Sequence, residues 1–171
     1  LNYLVKKISL QDNFNLTSIR FSPDGQHLAI GDSIGNVFIY SLITFEQVKQ
    51  IPIHSGDINS IDMIKDVDKN KLFLSTGGAD NCISVLEDFD SSNIIIEKMS
   101  SPVINVAFCI DKNKNLKLIT AEQNSTIVFF LVNHDLGLSS CYSGSIFKLL
   151  SDLSHTLLQV SLFCGVLTFT Y

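Results

Sequence analysis

The sequence predicts an all-β chain, and three observations carry that prediction. Up to about residue 132 no long run shows helical apolar spacing; short runs rich in Ile, Val, Leu and Phe alternate instead with polar turn clusters. These runs recur in register along the chain. The composition is that of a packed body, because 46% apolar and 17% charged residues exclude a disordered chain and nine glycines with three prolines exclude a collagen-like one. At 171 residues the chain has the length of an ordinary domain with its own core.

The recurring unit can be read element by element. Leu28 to Tyr40 is an apolar run, a tight polar turn and a second apolar run, and the same pattern returns 46 residues later from Leu74 to Leu86. A third copy, Leu118 to Phe130, follows after a further 44 residues. Each copy is a strand hairpin. Upstream of each hairpin lies another strand, marked by Leu16, Ile19 and Phe21, then Ile58, Ile61 and Met63, then Val103, Val106 and Phe108. Downstream lies a fourth, near Val48 to Ile51 and Ile94 to Glu97. Four antiparallel strands every 44–46 residues is the period of a β-propeller blade. The expected layout is a partial propeller over residues 1–132, with blades near 16–51, 58–98 and 103–132, and residues 1–10 (Leu4 to Ile8) as the last strand of a preceding blade. A closed seven-bladed ring takes roughly 300 residues. The chain is therefore expected to be an open arc of a larger scaffold, with unpaired edges, apolar blade faces and poor solubility in isolation.

Local chemistry sharpens the assignment. Phe21-Ser22-Pro23-Asp24-Gly25 places Pro23 where a turn wants φ near −65°, Asp24 within the bend, and Gly25 where the chain enters positive φ. This run resembles the F-S-P-D-G turn of WD repeats. In the second repeat His54 precedes Ile58 by four residues, similar to the family's G-H-x-x-x-V pattern, and Thr76 and Asp80 occupy its Ser and Asp positions. Those three residues are expected to hydrogen-bond as a buried chain, His54 to Asp80 and His54 to Thr76, tying an outer loop to the inner hairpin. The family's strand-c Trp is Tyr40, Leu86 and Phe130 here; its His is Asp12 in the first repeat and Met99 in the third; its turn Asp is Ile34 and Asn124. The blades are thus expected to be held mainly by apolar packing.

The run Ser22-Pro23-Asp24-Gly25-Gln26-His27-Leu28-Ala29-x-Gly31-Asp32-x-x-Gly35-Asn36, with Gly77-Gly78-Ala79-Asp80, is similar to the N-terminal propeller region of one WD-repeat family. That family comprises the mitogen-activated protein kinase-binding and microcephaly-associated spindle-pole scaffolds, and the resemblance covers residues 3–132. It implies a cytoplasmic, non-catalytic scaffold without cofactor that organises JNK-pathway kinases and, in some members, acts at centrosomes and spindle poles.

Charge and motifs restrict the remaining chemistry. A net charge of −5 argues against a broad grip on nucleic acid or an anionic membrane, so the expected partners are proteins. Cys82, Cys109, Cys141 and Cys164 form no C-x-x-C pair and read as buried, reduced thiols. Leu1 to Leu10, interrupted by Lys6 and Lys7, has too short an apolar run for a signal peptide, so the sequons at Asn15 and Asn124 are expected to stay unmodified. There is no H-E-x-x-H, G-x-S-x-G, Walker or dinucleotide motif. Gly31 to Gly35 and Gly77-Gly78 read as hairpin glycines, and His27, His54, His134 and His155 are too dispersed for a metal site. Asp62, Asp66 and Asp68, interleaved with Lys65 and Lys69, read as a solvated loop. Two basic-then-apolar segments, Lys6 to Leu10 and Lys112 to Leu118, look like kinase docking motifs but overlap expected strands whose leucines the sheet needs. The expected recognition surface is the loop face around Gln11 to Asn15, His54 to Asp57 and Ser100 to Pro102, with the turns Ser33 to Gly35, Ala79 to Asn81 and Gln123 to Ser125. Alternatives are a subunit of a ciliary or RNA-processing complex, or a propeller enzyme; the latter needs polar residues on the innermost strands, where Ile19, Phe21, Ile61, Met63, Val106 and Phe108 stand.

From Asn133 the pattern stops. Residues 133–171 read as a divergent apolar tail, with leucines at spacings of three and four making Ile146 to Gln159 a candidate amphipathic helix capped by Ser145. Three readings stand open for it: a non-native end, a capping helix or strand, or a membrane anchor, although Thr156 to Tyr171 is short for a span.

Overall fold

The computed structural model describes residues 7, 15–68, 70–132, 137–145, 159–163 and 166–170. Strands β1 (Leu16–Phe21), β2 (His27–Asp32), β3 (Asn36–Ser41) and β4 (Gln47–Pro52) form one antiparallel sheet in chain order. A second contains β5 (Ile58–Asp66), β6 (Lys71–Gly78), β7 (Cys82–Glu87) and β8 (Ile95–Lys98), with a single 3-10 turn, Ser91–Asn93, before β8. The third contains β9 (Val103–Ile110), β10 (Leu116–Glu122), β11 (Thr126–Val132) and β12 (Leu138–Ser145). A separate hairpin pairs β13 (Gln159–Phe163) with β14 (Val166–Thr170).

Strand alternation explains why the sheets stack. On β6, Leu72 and Leu74 join a core with Ala29, Val37 and Ile39 of the first sheet, while Phe73 between them joins a core with Val106, Leu118 and Phe130 of the third. The second sheet is therefore apolar on both faces and lies between its neighbours. Burying one such leucine or isoleucine side chain contributes about 1.5–3 kcal/mol, so these two cores dominate the packing. Three four-stranded sheets packed face to face in chain order constitute a partial β-propeller.

A polar seam along the first strand of each blade reinforces the stack. Thr17 Oγ1 donates to the Ile58 carbonyl at 2.7 Å and Asn59 Nδ2 to the Val103 carbonyl at 2.8 Å. Asp62 spans all three blades, pairing with Arg20 Nη2 at 2.8 Å and accepting from the Phe108 amide at 2.6 Å. This corrects the reading of Asp62, Asp66 and Asp68 as a solvated loop: β5 runs on to Asp66, Asp62 and Asp66 are buried, and only Asp68 falls in the turn. The apolar residues of the innermost strands alternate with these polar ones, and the seam is built from the second set.

The end of the chain also departs from expectation. The third blade has its outer strand, β12, in residues assigned to the tail, paired with β11 from Thr126↔Ser145 to Val132↔Leu138. Leu138-Ser-Ser-Cys-Tyr-Ser-Gly-Ser carries almost no apolar alternation, because an outer strand contributes little to the core between blades. Of the candidate helix, residues 146–158 lie outside the described residues, and Gln159 opens a strand. The expected strand over residues 1–10 also lies outside them, apart from an exposed Lys7. Cys82 and Cys109 are free thiols but half-buried, not buried, while the side chains of Cys141 and Cys164 lie outside the described set. Leu116 and Leu118 are buried in β10, and Lys114 and Lys117 pair with Asp68 and Asp111. Among the described residues no helix is long and apolar enough to cross a membrane.

Candidate protein-interaction face

One end of each blade gathers the turn between its second and third strands and the segment entering its first strand. A repeated backbone bond ties the two: Ser33 N to Asn15 O at 2.9 Å, Ala79 N to Asp57 O at 2.9 Å and Gln123 N to Pro102 O at 2.8 Å. Each turn needs one left-handed residue, which is Gly35 (φ 95°), Asn81 (φ 64°) and Ser125 (φ 66°). At Gly35 a side chain is also excluded by space, since a Cβ would strike the His54 carbonyl. The carbonyls of Gly35 and Asn81 then receive the amides of Ile53 and Met99, fixing the path toward the next blade. These loops are short, cross-bonded and rigidly spaced.

In the second blade the structure brings His54, Thr76 and Asp80 together. His54 Nδ1 lies 2.9 Å from Asp80 Oδ1, and Nε2 lies 2.7 Å from Thr76 Oγ1. Burial is the largest influence on His54 and holds its pKa below the ordinary 6.5, against the pull of Asp80's hydrogen bond and charge. Burial pushes Asp80 upward, but the Ser55 amide, His54 and the Cys82 amide together bring it below its ordinary range. A neutral imidazole donating from Nδ1 to an ionised Asp80 satisfies both groups. Nε2 then accepts from the Thr76 hydroxyl, which accepts in turn from Ser84 Oγ at 2.6 Å. Asp80 Oδ2 accepts the Ser55 amide at 3.0 Å, so the chain runs from the loop into the hairpin.

Sequence reasoning missed two members of this arrangement. Ser84 stands directly opposite Thr76 in the β6–β7 ladder, and their equal distance from Asp80 at the centre of the turn was the available signal. Gly78 makes room: a Cβ there would lie 2.5 Å from Asp80 Oδ1 and press on the His54 ring. The other blades place their carboxylate at that position instead. Asp32 accepts the Ile34 and Asn36 amides at 3.0 and 2.8 Å, and Glu122 accepts from Ser100 Oγ at 2.5 Å and the Ser101 amide at 2.8 Å. The backbone bonds also align Ser100, not Met99, with His54, because Met99 and Ile53 make the equivalent amide bonds.

Pro23, Asp24 and Gly25 lie at the opposite end of the first blade. Gly25 has φ 68° and its amide reaches the Ser22 carbonyl at 2.9 Å, closing the turn. The Ser22 hydroxyl donates to Asp24 Oδ1 at 2.7 Å and is the main reason that carboxyl sits below its ordinary pKa. The turn shapes a hairpin and shares no contact with the His54 chain. Among the described residues no group of three or more His, Cys, Asp or Glu could hold a metal ion.

Known proteins with this architecture place it. The family model described as "WD domain, G-beta repeat" matches residues 45–86, which take in the outer strand of the first blade and the His54 network. The chain carries a WD repeat. It is similar to eukaryotic translation initiation factor 3 subunit I of Kluyveromyces lactis, 29% identical over 125 residues that cover 71% of this chain and 35% of that protein. Mitogen-activated protein kinase-binding protein 1 of Mus musculus is 26% identical over 124 residues, covering 71% of this chain and 8% of the relative. WD repeat-containing protein 62 of Sus scrofa is 26% identical over 128 residues, covering 68% and 8% respectively. The solved structure of U3-55K shares the fold, with a TM-score of 0.64 at 13% identity over 80% of this chain and 41% of that one. The chain thus spans about a third or less of the length of these curated relatives.

Proposed function

We propose that this WD-repeat chain is a non-catalytic protein-interaction scaffold whose working surface is the loop face carrying His54 to Asp57, Ala79 to Asn81, Ser100 to Pro102 and Gln123 to Ser125. The observation that carries this reading is the repeated bond between turn and entering segment in all three blades, which presents variable side chains on a fixed frame. The polar groups nearest that face support a role in holding loops, since Asp80, Glu122 and His54 are spent on bonds within the chain. The partners are proteins, without nucleic acid, membrane or cofactor. Asp62 and Arg20, two charged residues of the inner strands, bond each other across blades, which favours a scaffold over a propeller enzyme.

The similarity to mitogen-activated protein kinase-binding protein 1 and to WD repeat-containing protein 62 supports a place among kinase-pathway scaffolds of the JNK type, in the cytoplasm and at the centrosome or spindle pole. A second reading rests on the similarity to translation initiation factor 3 subunit I: a subunit of another multiprotein assembly, such as an RNA-processing or ciliary complex. Mass spectrometry of proteins that co-purify with the tagged natural protein separates them. Kinases and spindle-pole proteins are the expected recovery; ribosomal, initiation-factor or intraflagellar subunits without kinases would overturn the pathway assignment.

A further inference from the structure

Between the outer strands of blades 2 and 3 lies a cleft of about 330 Å³. Its apolar wall is Met99, Val128, Phe130 and Leu138, contributed by the end of blade 2 and the outer half of blade 3. Glu97 stands on its rim and Glu122 deeper in its lining. Glu122 is buried and accepts only from Ser100 and the Ser101 amide, so its charge has no cationic partner among the described residues. Glu97 is exposed and likewise lacks an ion pair among them. Lys98, the one cation of this lining, is held toward the turn of blade 2, where its ammonium donates to the Asp80 carbonyl at 3.0 Å; the lining keeps a net negative charge from its two carboxylates.

An anionic rim over an apolar wall selects a complementary occupant. A buried carboxylate without a cation is stabilised by one brought from outside, and the apolar wall favours a side chain that gives up water readily. At the low end of ligand-pocket sizes, roughly 300–1,000 Å³, the cleft holds one or two side chains and not a large cofactor. Resting on the scaffold reading above, we propose that this cleft receives an extended peptide segment of a partner protein. That segment carries an arginine or lysine next to an aliphatic residue. The cation faces Glu97 and Glu122, and the aliphatic side chain lies against Met99, Val128 and Phe130.

The test is a displayed random-peptide library selected on the full chain, followed by fluorescence anisotropy with a selected peptide. The expected result is enrichment of adjacent basic and aliphatic residues, with binding weakened about tenfold or more by Glu97→Lys and by salt. Val128→Trp, which fills the cleft, is expected to abolish binding; because that variant can also perturb folding, the exposed Glu97→Lys change decides the matter alone. Asp57→Lys, at an exposed position of the loop face, should leave binding unchanged. Peptides without the basic–aliphatic pair, or affinity indifferent to Glu97→Lys, overturn the cleft. Binding lost only in Asp57→Lys overturns it too while leaving the scaffold reading intact, and failure to select any peptide counts against both.

Discussion

Blades 2 and 3 descend from the same pattern and solve the same junction differently. Blade 2 runs a continuous chain from Ser84 through Thr76 and His54 to Asp80, with every polar atom in that chain occupied. Blade 3 keeps the threonine as Thr120 but has Val128 opposite it and Ser100 in place of the imidazole, which is too short to reach it. The Thr120 hydroxyl is consequently buried without a hydrogen-bond partner. A network of this kind stabilises only as a whole; a single retained member costs desolvation and returns nothing.

The largest effect expected from this comparison is that of His54→Ala. It strands Thr76 and Asp80 and leaves a void under the loop, which should cost about 3 kcal/mol in urea unfolding. Ser100→Ala in blade 3 removes one hydroxyl of an exposed residue and should cost far less. Equal losses at the two positions would show that the blades are alike in energy despite their different chemistry. Next in size is Asp62→Ala at the seam. It frees the buried Phe108 amide and the Arg20 contact together, with an expected loss of about 2 kcal/mol. Because Asp62 touches blades 1 and 3 alike, that loss should be the same in the His54→Ala background; a non-additive pair would mean that the network and the seam form one unit.

How much of this was legible beforehand follows from where apolar residues were required. The hairpins from Leu28, Leu74 and Leu118 were readable because each supplies apolar residues to a buried core, and the positions that pack are visible in the chain itself. The His54, Thr76 and Asp80 set was readable because each residue type has a specific partner chemistry. Strand β12 was not, since an outer strand is held by backbone bonds to one neighbour and LSSCYSGS shows no apolar period. Asp62 was misread for a related reason: a charge between lysines looks solvated in one dimension, and only the stacking of strands some 46 residues apart in sequence brings the Phe108 amide to it. Ser84 and Gly78 were missed because their roles are relational, one set by cross-strand register and the other by the space an imidazole needs.

The comparison also predicts a pH dependence that belongs to blade 2. Burial lowers the folded pKa of His54 below 6.5, so the unfolded chain binds more protons than the folded one between those two values. The contribution is full above pH 6.5 and is lost as pH falls from there through the folded pKa. The urea midpoint should decline over that window in the natural protein and decline less in His54→Ala. An identical slope in both would assign the effect to other histidines and remove His54 from the account.

The smallest effect is the most discriminating. Thr76→Val removes the central hydroxyl of a complete chain and should cost about 1–2 kcal/mol, since His54 Nε2 and Ser84 Oγ both lose a partner. Thr120→Val makes the same change in the same place of the next blade, where the hydroxyl is buried and unpartnered. Replacing it with a methyl removes a desolvated group at nearly constant volume, so the expected change lies between about zero and 1 kcal/mol of added stability. The two variants share chemistry, strand position and burial, and differ only in the neighbours of one oxygen. Opposite signs in their urea midpoints would assign the difference between the blades to the network, whereas a matching loss at Thr120 would mean that its hydroxyl is satisfied and that blade 3 has a bonding scheme of its own.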